Sequence, residues 1–431
     1  MSSPAVERLS ARLRTAQVEA RIPAVSAQVS RGGEQLWADQ VHAAADHAFR
    51  IGSITKTFTA VSVLQCRDAG LLELDDPLAA HLPVELPSGV TIRRCLAHLG
   101  GVQREPAGDV WAGGPAPDDA GLLAGLADRE AQLVPARRFH YSNLAYALLG
   151  RVVAERRGAS WYDVVHEHLL APLQLTRTTV GPSDPAATGG FTEPWTDVVK
   201  PEPEFPTHGV APAAQLWSTA ADLARWGAFL VAPDEALLAA STVAEMAEVQ
   251  VMADPARWSL AFGLGVMLYR RGERVFVGHG GAMPGFLSTV MADPESGTVA
   301  AVLTAAGRDV DVTGLAAGLL EDALEADPPK PEPWVPGAEP PAAVRPLLGH
   351  WWTEGSELVL SWHDRLEARL VGSPSWLAPA VFAPAGDGRW LTVSGREAGE
   401  ILRVATPTLL HWATYALTRE PKSFGELFDH A

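Results

Sequence analysis

A serine and a lysine three positions apart, Ser53 and Lys56 in FRIGSITKTFTA, are the first residues along the chain that could do covalent chemistry. On a helix such residues share a face, with Cβ atoms about 5–6 Å apart, so the amine can fold back to the hydroxyl. A helix N-terminus at that hydroxyl favours a developing alkoxide. A second set is Tyr141-Ser142-Asn143. Beside a lysine ammonium a phenol is drawn toward phenolate, while burial of the lysine favours its free amine. One of the two must fall from a reference near 10 to about 7 to take a proton in neutral solution. The third set is His279-Gly280-Gly281-Ala282, which follows a strand-like stretch at 275–277. Its glycines let a substrate backbone lie against the strand as an added strand would. The Ala282 amide, with that of Ser53, would then form an oxyanion hole. Taken singly, each set has a plainer reading as a chance S-x-x-K, a core aromatic or a tight turn.

The elements that must position these groups are legible in outline. Alternating apolar positions at 24–29 and 35–38 around Arg31-Gly32-Gly33 predict an opening β-hairpin. A helix is predicted over 53–69, capped by Ser53 and stopped by Gly70. Further helical patterns cover 144–157, 161–170 and 219–231, and strand patterns return at 264–269, 275–277, 287–292 and 299–304. Strands at both ends of a helical middle predict an α/β sandwich whose sheet joins the two. Residues 183–216, rich in Pro, Gly, Thr and Asp, are too long for an ordinary connection and predict a functional loop or lid. Trp195 within it, with Trp111 and Trp217, could wall a pocket for a sizeable apolar peptide, or simply pack in the core.

Composition narrows the function classes. The net charge of −17 repels phosphate backbones and anionic lipid headgroups, so neither nucleic acid nor a membrane surface is an expected partner. No run reaches the roughly 18 apolar residues of a membrane span. The opening segment, with Val6, Leu9, Leu13 and Val18 near helical spacing, reads as an amphipathic helix without a secretory apolar core, which makes a cytoplasmic location the expectation. The two cysteines, Cys66 and Cys95, are expected as buried free thiols. His166 and His168 fall on different helix faces, and neither metal nor cofactor is expected. Proline density at 327–346 marks a linker. It divides a domain over 1–326 from one over 347–431, whose alternating apolar residues predict a small antiparallel β-barrel or half-barrel. A G-x-S-x-G elbow and a G-x-G-x-x-G loop are both missing, which argues against an α/β-hydrolase and a nucleotide site.

In order, spacing and local structure the three sets resemble the penicillin-binding-protein-like serine hydrolases. That family includes class C β-lactamases, D,D-peptidases, D-aminopeptidases, esterases of the β-lactamase fold and stand-alone peptide cyclases. The likeness spans about residues 10–320 and includes 49–59, 139–150, 216–226 and 278–286. The resemblance implies an antiparallel sheet flanked by helices plus an all-helical subdomain, with Ser53 as nucleophile and Lys56 and Tyr141 as its partners. It further implies that Asn143 binds Lys56 and the substrate's acyl-side carbonyl, and that His279, Gly280, Gly281 and Ala282 form the substrate strand. One departure matters: many members carry a lysine where this chain has His279, and that fixed charge recognises a substrate carboxylate. Histidine is mostly neutral at pH 7, so the expectation moves from β-lactamase toward D-aminopeptidase, esterase or cyclase. The proline linker and C-terminal β domain resemble the lipocalin-like appendage of penicillin-binding-protein-type thioesterases, which release and cyclise nonribosomal peptides. They also resemble the appended domains of some D-aminopeptidases. The leading expectation is therefore a peptide cyclase fed by a peptide (thio)ester, such as a peptidyl thioester on a carrier protein. A hydrolase for esters or D-amino-acid peptides is the alternative.

Overall fold

The computed structural model describes every residue except 109, 111–114, 129–131, 331–332, 375–376, 424 and 427–431. The chain forms two compact units, Met1–Pro329 and Lys330–Ala431. The first is built on an eight-stranded antiparallel sheet. From one edge its strands are Glu34–Val41, Val25–Arg31, Thr298–Thr304, Phe286–Asp293, Arg274–Met283, Met267–Arg271, Leu260–Phe262 and Val251–Met252. The opening hairpin thus pairs with a strand about 270 residues on, with Val25 opposite Thr304 and Arg31 opposite Thr298.

Alternation along the strands decides which helices they hold. In Val25–Arg31, residues Val25, Ala27 and Val29 face a layer made by the helices Ser3–Glu19 and Val312–Ala326 through Leu9, Leu13, Leu319 and Leu320. In Thr298–Thr304, residues Val299, Ala301 and Leu303 face the opposite, larger core, while Ala300 and Val302 join the first. Every residue of that strand is buried, as expected where both faces of a sheet are covered. The N-terminal helix buries Ala5, Leu9 and Leu13 but leaves Val6 and Val18 exposed, so its apolar face is narrower than the sequence implies.

The large core holds the helices Thr55–Asp68, Asn143–Arg157 and Ala220–Phe229. Thr55–Asp68 is buried nearly all round, and its threonines are satisfied within the protein. Thr57 Oγ1 accepts from Trp226 Nε1 at 2.7 Å, and Thr59 Oγ1 donates to the Pro212 carbonyl at 2.7 Å. Phe58 stacks on Trp226 at 3.8 Å between centroids. Cys66 and Cys95 are free and buried.

Four local expectations shift. Strand 264–269 starts later, at Met267, because 263–266 turns back on itself through a Gly263 N–H bond to the Val266 carbonyl. The helix from Trp161 keeps α geometry only to Val165 and continues as a π turn over His166–Leu170. Segment 183–216 is not a bare loop: it contains the hairpin Gly190–Thr192/Val199–Pro201 and the short helix Ala211–Ala214. Its tryptophan does not wall a pocket, since Trp195 at the hairpin turn is 94% exposed. Trp217 is buried edge-on against Phe286 in the core, and Trp111 lies outside the described residues.

The second unit is an up-and-down antiparallel barrel of eight strands in chain order, from Gly349–Thr353 to Tyr415–Thr418, closed where Trp352 meets Thr418. Closure removes the exposed strand edge that a half-barrel would leave. Trp351, Phe382, Trp390 and Trp412 fill its interior together with leucines.

Candidate active site

Ser53 is set by a tight turn. The two-residue strand Phe49–Arg50 pairs with Trp217–Ser218, the chain turns at Gly52 with φ +50°, and a 3-10 turn over Gly52–Ile54 leads into the helix Thr55–Asp68. Among the described residues no side chain caps that helix, so Ser53 is not the cap that its position suggested. Its hydroxyl points instead toward Lys56 and Tyr141, where it is available for reaction.

The turn is pressed against the strand Arg274–Met283. A Cβ on Gly52 would lie 2.6 Å from the Ala282 nitrogen, and one on Gly281 would lie 1.9 Å from the Ile51 carbonyl oxygen. Ser288 Oγ clamps the same carbonyl at 2.9 Å. This contact brings the Ser53 and Ala282 backbone together. Gly280, by contrast, has room for a Cβ, whose nearest neighbour would be Tyr269 Oη at 3.7 Å.

Lys56 is fully buried one helical turn on. Its Nζ lies 3.0 Å from Ser53 Oγ, 2.7 Å from Asn143 Oδ1 and 2.9 Å from the Ala213 carbonyl. The last two groups can only accept hydrogen bonds. A neutral amine has two N–H groups, which they take up, leaving its lone pair for the Ser53 hydroxyl proton. Burial pushes Lys56 well below the usual lysine range, against Glu105, which raises it, and with Arg104, which lowers it further.

Burial also raises the Tyr141 phenol above its ordinary value, more than its hydrogen bond with Ser53 lowers it. The sequence left amine and phenolate open as the base. Burial lowers the amine and raises the phenol, so the amine gives up its proton before the phenol does, and Tyr141 as a phenol can donate to Ser53 Oγ. Once Lys56 is neutral, no ammonium remains to favour the phenolate.

Asn143 opens the helix Asn143–Arg157, whose N-cap Ser142 accepts from the Ala145 amide at 2.9 Å. His279 is buried in the strand Arg274–Met283, with Nδ1 2.6 Å from the Gly280 carbonyl. A carbonyl only accepts, so Nδ1 carries the proton. Burial first, and the charge of Lys56 second, push this imidazole down to about 3. His279 is therefore neutral and brings no fixed positive charge to the site.

All eight residues singled out in the sequence, Ser53, Lys56, Tyr141, Asn143, His279, Gly280, Gly281 and Ala282, meet at this place, and all but Lys56 line one cleft of about 830 Å3. Its remaining wall carries the charged pair Arg104 and Glu105 and is otherwise largely apolar, with Phe139, Leu260, Phe262, Met267, Leu287 and Val312. Sequence reasoning missed three contributors. Ala213, in the short helix of 183–216, takes a Lys56 hydrogen. His98 stacks on Tyr141 at 4.2 Å and accepts from the Ser142 amide at 3.1 Å. Glu105 accepts from Asn143 Nδ2 at 2.6 Å. Gly100-Gly101 hints at a turn near these last two, but no spacing rule ties that segment to Ser53.

A serine backed by a buried lysine and a tyrosine, under a helix-flanked antiparallel sheet, is the site of serine hydrolases with the β-lactamase and penicillin-binding-protein fold. The family described as Beta-lactamase matches residues 8–324, and the chain belongs to it. A domain of unknown function, DUF7586, matches residues 340–419. Penicillin-binding protein 4 of Amycolatopsis lactamdurans is 33% identical over 336 residues, spanning 72% of this chain and 86% of that relative. A D-stereospecific amidohydrolase from Streptomyces sp. superposes with a TM-score of 0.63 at 25% identity, over 73% of this chain and 97% of its own. SurE superposes with a TM-score of 0.62 at 22% identity, over 97% and 99%. Among the described residues no helix is long and apolar enough to cross a membrane.

The protonation states set the pH dependence of acylation. With Lys56 as the base, kcat/KM for an uncharged ester is expected to rise with pH through one step well below 10.5. It should then stay level up to pH 10, because Tyr141 ionises later. His279, at about 3, contributes no step near the ordinary histidine value. A rate profile between pH 5 and 10 checks this, and a fall setting in between pH 8 and 10 would contradict it.

Proposed function

We propose that the protein transfers a peptidyl acyl group through an ester on Ser53, taking it from a thioester whose C-terminal residue is D-configured and releasing it as a ring. Ser53 attacks the carbonyl as its proton passes to Lys56 Nζ, and the amides of Ser53 and Ala282 hold the oxyanion. Tyr141 donates a proton toward the leaving group and is reprotonated from Lys56. An amine of the same peptide then attacks the ester, with the proton path reversed, and the cyclic amide leaves.

The observation that carries this reading is the neutral His279. Without a fixed cation at that position the strand offers a leaving-group carboxylate no charged partner, and the Arg104 guanidinium that also lines the cleft stands beside Glu105, which fits a leaving group without a free carboxylate, as in a thioester on a carrier-protein arm. The apolar walls and the volume suit a peptide of several residues. The names of the D-stereospecific amidohydrolase and of SurE, also solved with D-Leu, support the D configuration.

A second reading, hydrolysis of D-amino-acid amides and esters, is supported by the breadth of the same cleft, which leaves room for water beside the ester. Both follow from one test: linear peptidyl thioesters ending in a D or an L residue are incubated with the protein and the products weighed. Cyclic product from the D series alone is expected. Free acid as the main product replaces ring closure by hydrolysis, and equal use of the L series overturns the stereochemical reading.

A further inference from the structure

The Lys56 amine serves Ser53 only while its lone pair points there, and that depends on which way the Asn143 amide is turned. Oδ1 faces Nζ at 2.7 Å. Were the amide reversed, its NH2 would face Nζ, and the amine would turn its lone pair to that donor instead of to Ser53. What opposes reversal is the Glu105 carboxylate, whose Oε1 lies 2.6 Å from Asn143 Nδ2 and, when ionised, can only accept.

Glu105 is in turn held to the helix it serves. The Arg104 carbonyl accepts from the Asn143 and Leu144 amides at 2.8 and 3.1 Å. Ser142 Oγ donates to the Gln103 carbonyl at 2.7 Å, and Gln103 Nε2 donates to the Glu105 carbonyl at 2.7 Å. Segment 103–105 is thereby fixed over the first turn of Asn143–Arg157. Arg104 Nε stands 3.4 Å from Glu105 Oε1. Among the described residues the other carboxylate oxygen has no hydrogen-bond partner.

We propose that Glu105 is a positioning residue: by fixing the Asn143 amide it aims the Lys56 lone pair at Ser53. This rests on the reading of Lys56 as the base that acylates Ser53. The test compares wild type, Glu105→Ala and Glu105→Gln in the hydrolysis of a neutral p-nitrophenyl ester from pH 5 to 10, with melting curves and with fluorophosphonate labelling of Ser53.

The alanine variant is expected to lose about 10²-fold in kcat with little change in KM, as a misaimed base would. The glutamine variant keeps an acceptor for Nδ2 but can also turn its own amide and donate, so it opposes reversal only in part and should keep a plateau rate between those of wild type and alanine. In both, the rising limb should move to lower pH, because the carboxylate that favours the Lys56 ammonium is gone. An alanine variant at the wild-type plateau overturns the proposal, and so does a glutamine variant that loses as much as alanine or shows an unmoved limb. If wild-type Ser53 is not labelled at all, it is the acyl-transfer reading that has failed, whatever the variants do.

Discussion

Lys56→Met is expected to slow acylation of Ser53 by about 10²–10⁴-fold, the usual contribution of a positioned general base. Methionine nearly matches the lysine stem in length and fills the same buried space, so the loss reports chemistry more than packing. The Asn143 Oδ1 and Ala213 carbonyl contacts lose their donor, which costs about 1–3 kcal/mol for each group left unsatisfied. Melting curves show whether the fold survives that cost. Time-resolved labelling with a fluorophosphonate then gives the rate. Labelling within threefold of wild type would mean that the Ser53 proton leaves by another route.

The second large effect is expected at Gly281. An alanine there would place its Cβ 1.9 Å from the Ile51 carbonyl oxygen, a backbone atom also held by Ser288. Neither side of that contact is a flexible tip, so the strand and the nucleophile turn must separate and the Ala282 and Ser53 amides no longer converge. Loss of one oxyanion donor lowers kcat by about 10²–10³-fold. KM should change far less, because the interaction matters most as charge develops. Gly280→Ala is the matched control, since its Cβ has room. Equal kcat for both variants would remove Ala282 from the oxyanion hole.

These two glycines show where sequence reasoning succeeded and where it stopped. The S-x-x-K and Tyr-Ser-Asn sets were legible because their geometry is local: a helical turn for one, a helix start for the other. The glycine pair was legible as a close backbone approach, but one of its neighbours was not foreseen. Gly281 admits the protein's own nucleophile turn, a partner some 230 residues away that no local pattern announces. Ser53 looked like a helix cap because its type and position fit one, yet the 3-10 turn over Gly52–Ile54 leaves the hydroxyl for other partners.

The sheet joining both ends of the chain could be read from strand patterns, while its register could not. The tryptophan pocket was a guess from composition. Trp217 went to the core because the strand pair Phe49–Arg50/Trp217–Ser218 carries it there, and Trp195 sits at a hairpin turn facing solvent. His98 and Glu105 reach the site only by touching Tyr141 and Asn143, and residues placed at one remove from the nucleophile have no spacing rule of their own.

Acid quenching during turnover of a D-configured peptidyl thioester, followed by mass spectrometry of the digested protein, measures the proposed intermediate directly. The expected result is the peptidyl mass on the fragment holding Ser53, absent from Ser53→Ala, which also stops turnover. Turnover that persists in Ser53→Ala, or an acyl group found only on some other side chain, would contradict acyl transfer through Ser53.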